Sequence, residues 1–453
     1  MVDAIEHQLA SPLQSMQPFL LDACPIPAPF KGVGDGAYWR HGDINDVRSP
    51  SKRIGVVLSG GPAPGGHDVI AAILQHCRPQ DTLIGFLHGF GGLLKGQYRS
   101  LDPIDAALIE GTAGFDYLGT DRTKIRPNQF EVVRRVLQDA RLDALIVVGG
   151  DDSNTNAMHL ATACLGQVQV IGVPKTIDGD MMHPPHLMVP FGFHTATNHY
   201  ASLVSALAVD AHATERYIHV VRLMGRQASH ITLAVANQVM PHGCLLAEEA
   251  VDLGWSESHI VGYMAGVIRD RVQRNRPYGV MIFPEGLVEV MSTFHSDLIQ
   301  RGTDDHGNVN ISGVSLEHRL IDLIQQQLDP SLGVKMVPHF FGYTGRSLVP
   351  TAFDSAYAGL LGKTAYELVL SQATGMVAGC DFRKGIVTPC GIPLGAMMHW
   401  DDDRNDWVVK KSLVDTTGTD YNNYRSKKDA WVGYDPEFPR NKSPMWPSLM
   451  THE

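Results

Sequence analysis

Two short stretches of this chain bring together the residue types that handle phosphate and a divalent cation. They are Gly149-Gly150-Asp151-Asp152-Ser153-Asn154-Thr155-Asn156 and Pro174-Lys175-Thr176-Ile177-Asp178-Gly179-Asp180. Carboxylate oxygens suit Mg²⁺, glycine lets backbone N–H groups close on an anion, and lysine supplies a compact positive charge. Each stretch directly follows an apolar, β-branched run, residues 144–148 and 168–173. Such runs read as buried parallel strands. The polar residues therefore sit just past two strand C-termini, where open α/β sheets bind their ligands.

Three more strand ends have the same form. Residues 53–58 run into Ser59-Gly60-Gly61-Pro62-Ala63-Pro64-Gly65-Gly66, residues 217–222 into Met224-Gly225-Arg226, and residues 279–283 into Pro284-Glu285-Gly286. Each feature has a plain structural alternative. Asp151 and Asp152 open a helix and suit an N-cap, but two adjacent aspartates exceed what one cap needs, leaving one to face a metal. Asp178 and Asp180, two apart, would share one face of an extended segment, so one could accept a proton while the other helps hold metal; the alternative is a solvated turn. Lys175 is either a cation for phosphate or half of a surface salt bridge. Arg226 and Arg346, the latter in Gly342-Tyr343-Thr344-Gly345-Arg346, could each grip a sugar phosphate as a fork, or be ordinary surface arginines. His183 and His186 are separated by two prolines, which argues against a helical metal pair.

The elements that position these residues alternate along the chain. Strands are expected at 53–58, 81–87, 144–148, 168–173, 217–222, 244–247 and 279–283, with helices at 67–76, 128–140, 195–214, from 226 through roughly 239, and at 256–274. Alternation with turn signals at the joins means an α/β class with parallel sheets. A Gly-rich segment follows at 88–96, a surface loop at 304–310, a short helix near 10–21, and irregular chain over the last 50 residues. At 453 residues, 44% hydrophobic and 19% charged, the chain supports two or three domains. Its net charge of −11 opposes loose binding to nucleic acid or an anionic membrane, so a phosphorylated ligand needs a local cationic cluster. No apolar run reaches membrane-spanning length, the first 17 residues lack a signal-peptide pattern, and the six cysteines form no C-x-x-C pair. The expected setting is a reducing, cytoplasmic one.

Taken in order, residues 59–67, 149–157, 174–180, 222–226 and 284–286 and His339-Phe340-Phe341-Gly342-Tyr343 resemble the signatures of the phosphofructokinase superfamily, in particular its pyrophosphate-dependent branch. The resemblance covers residues 53–361. It implies two similar Rossmann-like three-layer domains with mainly parallel sheets and a site in the cleft between them. The implied division is an extension over 1–50, a phosphoryl-donor domain over 51–194 plus about 350–375, and a sugar-phosphate domain over 195–349 plus about 376–453. It also implies fructose 6-phosphate and pyrophosphate as substrates, Mg²⁺ as cofactor and a homodimer or higher homo-oligomer. By position, Gly61, Gly150 and Arg122 would lie on the donor side and Asp151 would serve Mg²⁺. Asp178 would be the general base, with Thr176 and Asp180 lining the transfer site. Met224, Gly225, Arg226, Glu285, Tyr343 and Arg346 would hold the sugar phosphate. Arg216 and Tyr217 would reach into a neighbouring subunit's site, although the family pair usually begins with Lys.

Donor choice follows from two positions. The family's ATP users have Gly where this chain has Asp152, and often Gly in place of Lys175. A carboxylate at Asp152 would fill and repel the space of an ATP α-phosphate, and Lys175 could neutralise a departing phosphate. The alternatives are an ATP-dependent phosphofructokinase and a non-catalytic regulatory subunit. Asp152 and Lys175 argue against the first, and the presence of both Asp178 and Asp180 against the second.

Overall fold

The computed structural model describes residues 26–31, 33, 38–40, 50–294, 311, 313–382 and 387–433. The helix expected near 10–21, the loop at 304–310 and most of the N-terminal extension lie outside the described residues. In chain order the strands are β1 (Trp39–Arg40), β2 (Arg53–Leu58), β3 (Thr82–Phe86), β4 (Tyr98–Leu101), β5 (Ala144–Gly149), β6 (Gln169–Pro174), β7 (Tyr217–Leu223), β8 (Gly243–Cys244), β9 (Gly279–Pro284), β10 (Lys335–Phe341), β11 (Met376–Asp381), β12 (Thr388–Pro393), β13 (Met398–Asp401) and β14 (Asp406–Val409). The larger sheet runs β1-β12-β11-β6-β5-β2-β3-β4 and the smaller β10-β7-β9-β8. The smaller sheet is parallel throughout, as are β11-β6-β5-β2-β3 at the heart of the larger.

The apolar strands sort their side chains by alternation. Ile146 and Val148 pack into one core, while Leu145 and Val147 between them pack into another on the opposite face. In the smaller sheet Val221 and Leu223 join the first of those cores, whereas Ile218 and Val220 face a third. One apolar layer thus runs from a face of the larger sheet to a face of the smaller, and each sheet has its own outer layer. A period of two with both faces buried explains why these strands read as continuous hydrophobic runs.

Sheet order also fixes where a ligand can enter. The first strand of the parallel core, β2, lies between β3 on one side and β5 on the other. The loops after β2 and β5 therefore leave in diverging directions and open a crevice at their C-terminal ends. Those loops carry Gly60 and Gly61, and Gly150 and Asp151.

The C-terminal quarter differs from the sequence expectation in two ways. Met376–Asp381 and Thr388–Pro393, in a stretch assigned from sequence to the second domain, form β11 and β12 of the larger sheet. The last 50 residues, expected to be irregular, contain β14 of the β13–β14 hairpin and a helix, Thr419–Trp431. That helix packs on the second domain, against the helix His230–Val239 and β8. It is pinned by a buried ion pair, Lys428 Nζ to Glu249 Oε1 at 2.5 Å, with the Tyr424 hydroxyl donating to the Cys244 carbonyl at 3.0 Å. The Pro-rich, polar sequence hides this helix because its stability comes from tertiary pairing, not periodicity.

Removing one partner of a buried pair strands the other charge, which costs about 3–5 kcal/mol. Lys428→Met should therefore lower stability in chemical denaturation by about 3 kcal/mol, with Arg425, 3.9 Å from Glu249, limiting the loss. The double replacement Glu249→Met plus Lys428→Met should recover much of it, and no recovery would show that the pair is not what fastens the helix.

Candidate active site

The glycine loop after β2 is held by the lysine of the second acidic loop and by the backbone before Arg122. Lys175 Nζ donates to the Gly61 carbonyl at 2.7 Å, and Gly60 N–H donates to the Asp121 carbonyl at 2.8 Å, next to Arg122. Gly61 lies close under Arg346: a Cβ there would stand 2.7 Å from Arg346 Nη1, so the guanidinium would have to shift to admit one. An arginine from the second domain thus lies against the glycine loop of the first. Burial, followed by Arg346, pushes the Lys175 pKa down to about 7, while Asp178 and Asp151 work against that shift.

The acidic residues are not caps. The helix Asp151–Ala163 has Gly150 at its N-cap, with no side-chain cap bond, and both aspartates instead pair with cations described below. Burial, and then Asp152, raises the Asp151 pKa. Asp180 is pushed up to about 7 by burial, then by Asp151 and Asp178. The segment bearing Asp178 and Asp180 is not extended as expected from sequence. Gly179 takes a left-handed φ of 74°, and the Thr176 hydroxyl accepts the Asp178 N–H at 3.0 Å. The two carboxylates are instead presented by a bend, each with a buried Oδ1 that has no hydrogen-bond partner.

On the other side, Glu285 N–H donates to the Leu223 carbonyl at 2.8 Å and Gly286 N–H to the Gly225 carbonyl at 3.2 Å, so the loops after β7 and β9 form one unit. Gly225, with φ 118°, makes the turn between Met224 and Arg226. Burial and then Asp178 raise the Glu285 pKa to about 7, with Arg222, Arg346 and Arg226 opposing. Asp178, Lys175, Glu285, Arg226 and Arg346 therefore belong to one electrostatic neighbourhood. Tyr343 is 60% exposed. Arg216 and Tyr217 are not brought to this site. They stand at the start of β7, whereas Met224, Gly225 and Arg226 follow its end, about 20 Å away for a seven-residue strand. Arg216 is exposed and lies over the Tyr217 ring at 5.5 Å.

The structure adds two residues that sequence reasoning missed. Arg404, in the β13–β14 turn, pairs with Asp152 at 2.9 Å, and Lys411, just after β14, pairs with Asp151 at 3.2 Å. Burial opposes the Lys411 charge, yet Asp151, Asp152 and Asp180 hold its pKa above the ordinary lysine value. With Arg404 in contact, the Asp152 carboxylate is no bare charge, so the expected repulsion of a nucleotide phosphate becomes mainly a matter of occupied space. No local pattern marks either cation; the only signal was a basic residue within a polar tail.

The donor set fits Mg²⁺. Asp151, Asp178 and Asp180 offer hard oxygens, two of them buried without partners. Among the described residues no three ligating side chains stand close enough to cage an ion, but Mg²⁺ keeps waters and substrate phosphates and needs only one or two carboxylates.

Two α/β units with charged loops gathered on facing strand ends match known proteins in sequence and fold. The profile "PFK: Phosphofructokinase" matches residues 53–369, and the chain belongs to the phosphofructokinase family. Among curated relatives, the pyrophosphate–fructose 6-phosphate 1-phosphotransferase of Porphyromonas gingivalis is 33% identical over 84% of this chain and 82% of its own length. That of Treponema pallidum is 34% identical over 84% and 78%, and the β subunit of the Solanum tuberosum enzyme 34% identical over 84% and 77%. The crystal structure of a pyrophosphate-dependent phosphofructokinase from Nitrosospira multiformis shares the fold, with a TM-score of 0.62, 16% identity and coverage of 88% of this chain and 95% of that one.

Two site glycines should respond differently to alanine. Gly179 is left-handed, and a Cβ there would stand 2.8 Å from Phe193 Cε2, so Gly179→Ala should cost about 1–3 kcal/mol. Gly61→Ala meets only the tip of Arg346 and should cost under about 1 kcal/mol. Thermal unfolding of the two variants checks this, and the reverse order would contradict the bend described for residues 178–180.

Proposed function

We propose that this protein transfers a phosphoryl group reversibly from pyrophosphate to the 1-hydroxyl of fructose 6-phosphate, giving fructose 1,6-bisphosphate and phosphate. The observation that carries this reading is the meeting of Arg346 with Gly61: an arginine just after β10 of the smaller sheet lies against the glycine loop after β2 of the larger, as a sugar-phosphate arginine facing a phosphoryl-donor loop would. The names of the curated relatives support the same reaction.

In this reading Arg226 and Arg346 bind the 6-phosphate end and Glu285 the sugar hydroxyls. Asp178 accepts the proton of the 1-hydroxyl as its oxygen attacks phosphorus. The bridging P–O bond of pyrophosphate breaks, and phosphate leaves toward Lys175, whose proton is loosely held. Asp151, with Asp180 behind it, would hold Mg²⁺, which when bound neutralises phosphate oxygens. The rest is positioning, the main contribution a protein makes to phosphoryl transfer.

The test is initial rates with fructose 6-phosphate, Mg²⁺ and either pyrophosphate or ATP. Pyrophosphate should give the higher kcat/KM, and a preference for ATP would overturn the donor assignment. Asp178→Asn should lower kcat by about 10²–10⁴ with substrate binding retained.

The far placement of Arg216 supports a homo-oligomer in which this residue completes the partner's sugar-phosphate site, and the enzyme is read as cytoplasmic. Mixing Arg216→Ala chains with Asp178→Asn chains, under conditions that allow subunit exchange, should then restore up to about a quarter of wild-type activity, since half the sites of a hybrid dimer are intact. Activity that stays at the sum of the two variants would show that each chain uses its own Arg216 or none.

A further inference from the structure

The segment after β14 is clamped on both sides of one residue. Upstream, Val409 N–H donates to Thr155 Oγ1 at 2.9 Å and Lys410 N–H to the Met397 carbonyl at 2.8 Å. Downstream, Ser412 N–H donates to the Asp180 carbonyl at 2.7 Å, and the Ser412 carbonyl faces His230 Nε2 at 2.8 Å. Val414 N–H adds a bond to Glu248 Oε1 at 3.0 Å. Thr155 belongs to the helix that opens with Asp151, and Asp180 closes the second acidic loop. The backbone flanking Lys411 is therefore tied to the helix that opens with Asp151 on one side and to Asp180 on the other. Its ammonium stands 3.2 Å from Asp151 Oδ2, with the side chain 16% exposed, and donates to Gln227, the neighbour of Arg226.

We propose that Lys411 is a donor-binding residue whose ammonium grips the phosphate oxygens of pyrophosphate, and of inorganic phosphate in the reverse direction. The inference rests on the phosphotransferase reading above. Asp151 is the carboxylate best placed for a divalent cation, and a lysine that shares it must find another anion when that cation binds. The clamp keeps Lys411 in the cleft, so the anion within reach is the donor. A compact, rotatable ammonium with three donors suits that exchange better than a planar fork. Arg404 differs: it is held by Asp152 and, at 3.5 Å, by Asp401 of its own hairpin, and so belongs to the wall of the site. The C-terminal quarter, which carries neither motif loop, thereby supplies one side of the pyrophosphate subsite.

The test is calorimetric titration of the full-length protein with inorganic pyrophosphate in Mg²⁺ buffer, for wild type, Lys411→Met, Lys411→Gln and Lys411→Arg. The two uncharged variants should bind pyrophosphate about tenfold or more weakly, and KM for pyrophosphate and phosphate should rise in proportion. KM for fructose 6-phosphate should stay within about twofold; the thermal midpoint should fall somewhat in the uncharged variants, because Asp151 loses its partner, so the loss confined to pyrophosphate and phosphate carries the test. Lys411→Arg should recover part of the affinity by restoring the charge. Equal losses for both substrates would mark Lys411 as a structural counter-ion and overturn the proposal. A wild type that turns over pyrophosphate, with variants that bind it as tightly, would remove the Lys411 role and leave the reaction standing. A wild type that neither binds nor uses pyrophosphate would overturn both.

Discussion

The constraint on which the rest of the structure depends is charge balance among buried side chains in one cleft. Asp151, Asp152, Asp178, Asp180 and Glu285 converge there, and burial first, then the neighbouring carboxylates, push the pKa values of Asp180 and Glu285 up. The compensating cations come from separate parts of the chain. Lys175 arrives on the second acidic loop, Arg226 after β7, Arg346 after β10, and Arg404 and Lys411 from the C-terminal hairpin and strap. No single domain carries the whole set. The chain leaves the larger sheet for the smaller, returns to add β11 and β12, and ends as a helix on the second domain, and these crossings bring the charges together.

The same crossings keep the cleft from being a loose hinge. Tyr200, on the long helix Phe193–Thr214, donates to the Gly342 carbonyl at 2.5 Å, tying that helix to the turn that bears Arg346. Asp354, on the returning helix Ala352–Leu370, accepts Gly192 N–H at 3.0 Å and Thr195 N–H at 2.7 Å, at the start of the long helix. Ser412 ties the strap to the carbonyl of Asp180. A site that works by positioning needs its first contacts supported in this way.

Much of this site could be read from the sequence, for a physical reason. A strand buried on both faces must be apolar and β-branched, and a loop that closes on an anion must use glycine, so strand and loop are marked by adjacent residues. That made Gly61, Asp151, Lys175, Asp178, Arg226 and Glu285 visible. The extended geometry assumed between Asp178 and Asp180 failed because Gly179 turns left-handed, which a spacing of two does not reveal. Lys411 and Arg404 were hidden for the opposite reason. Arg404 meets Asp152 across 252 positions, and an ion pair over that separation leaves no local pattern. The placement of β11 and β12 was missed likewise, since β12 pairs antiparallel to β11 and β11 parallel to β6, more than 200 positions earlier in the chain, and no local pattern marks such a pairing.

In the proposed reaction, the Arg404–Asp152 pair also changes how the cleft would tell a diphosphate from a nucleotide. Two like charges about 4 Å apart repel by roughly 4 kcal/mol at an effective dielectric near 20, an upper figure for a partly wet site. Asp152 alone would impose such a barrier on an α-phosphate. Paired with Arg404 at 2.9 Å, it presents little net charge, and most of that term cancels. What remains is volume, since the pair and the hairpin behind it stand beside the helix opening with Asp151. Exclusion by a filled space depends on how firmly the filling is held. Arg404 is fixed by Asp152 and Asp401, and Val409 by Thr155, so the wall is anchored at both ends of β14. In the proposed reaction, donor selection would thus be divided: Asp152 would contribute a position, the C-terminal hairpin the bulk, and Lys175 the charge that a leaving phosphate requires.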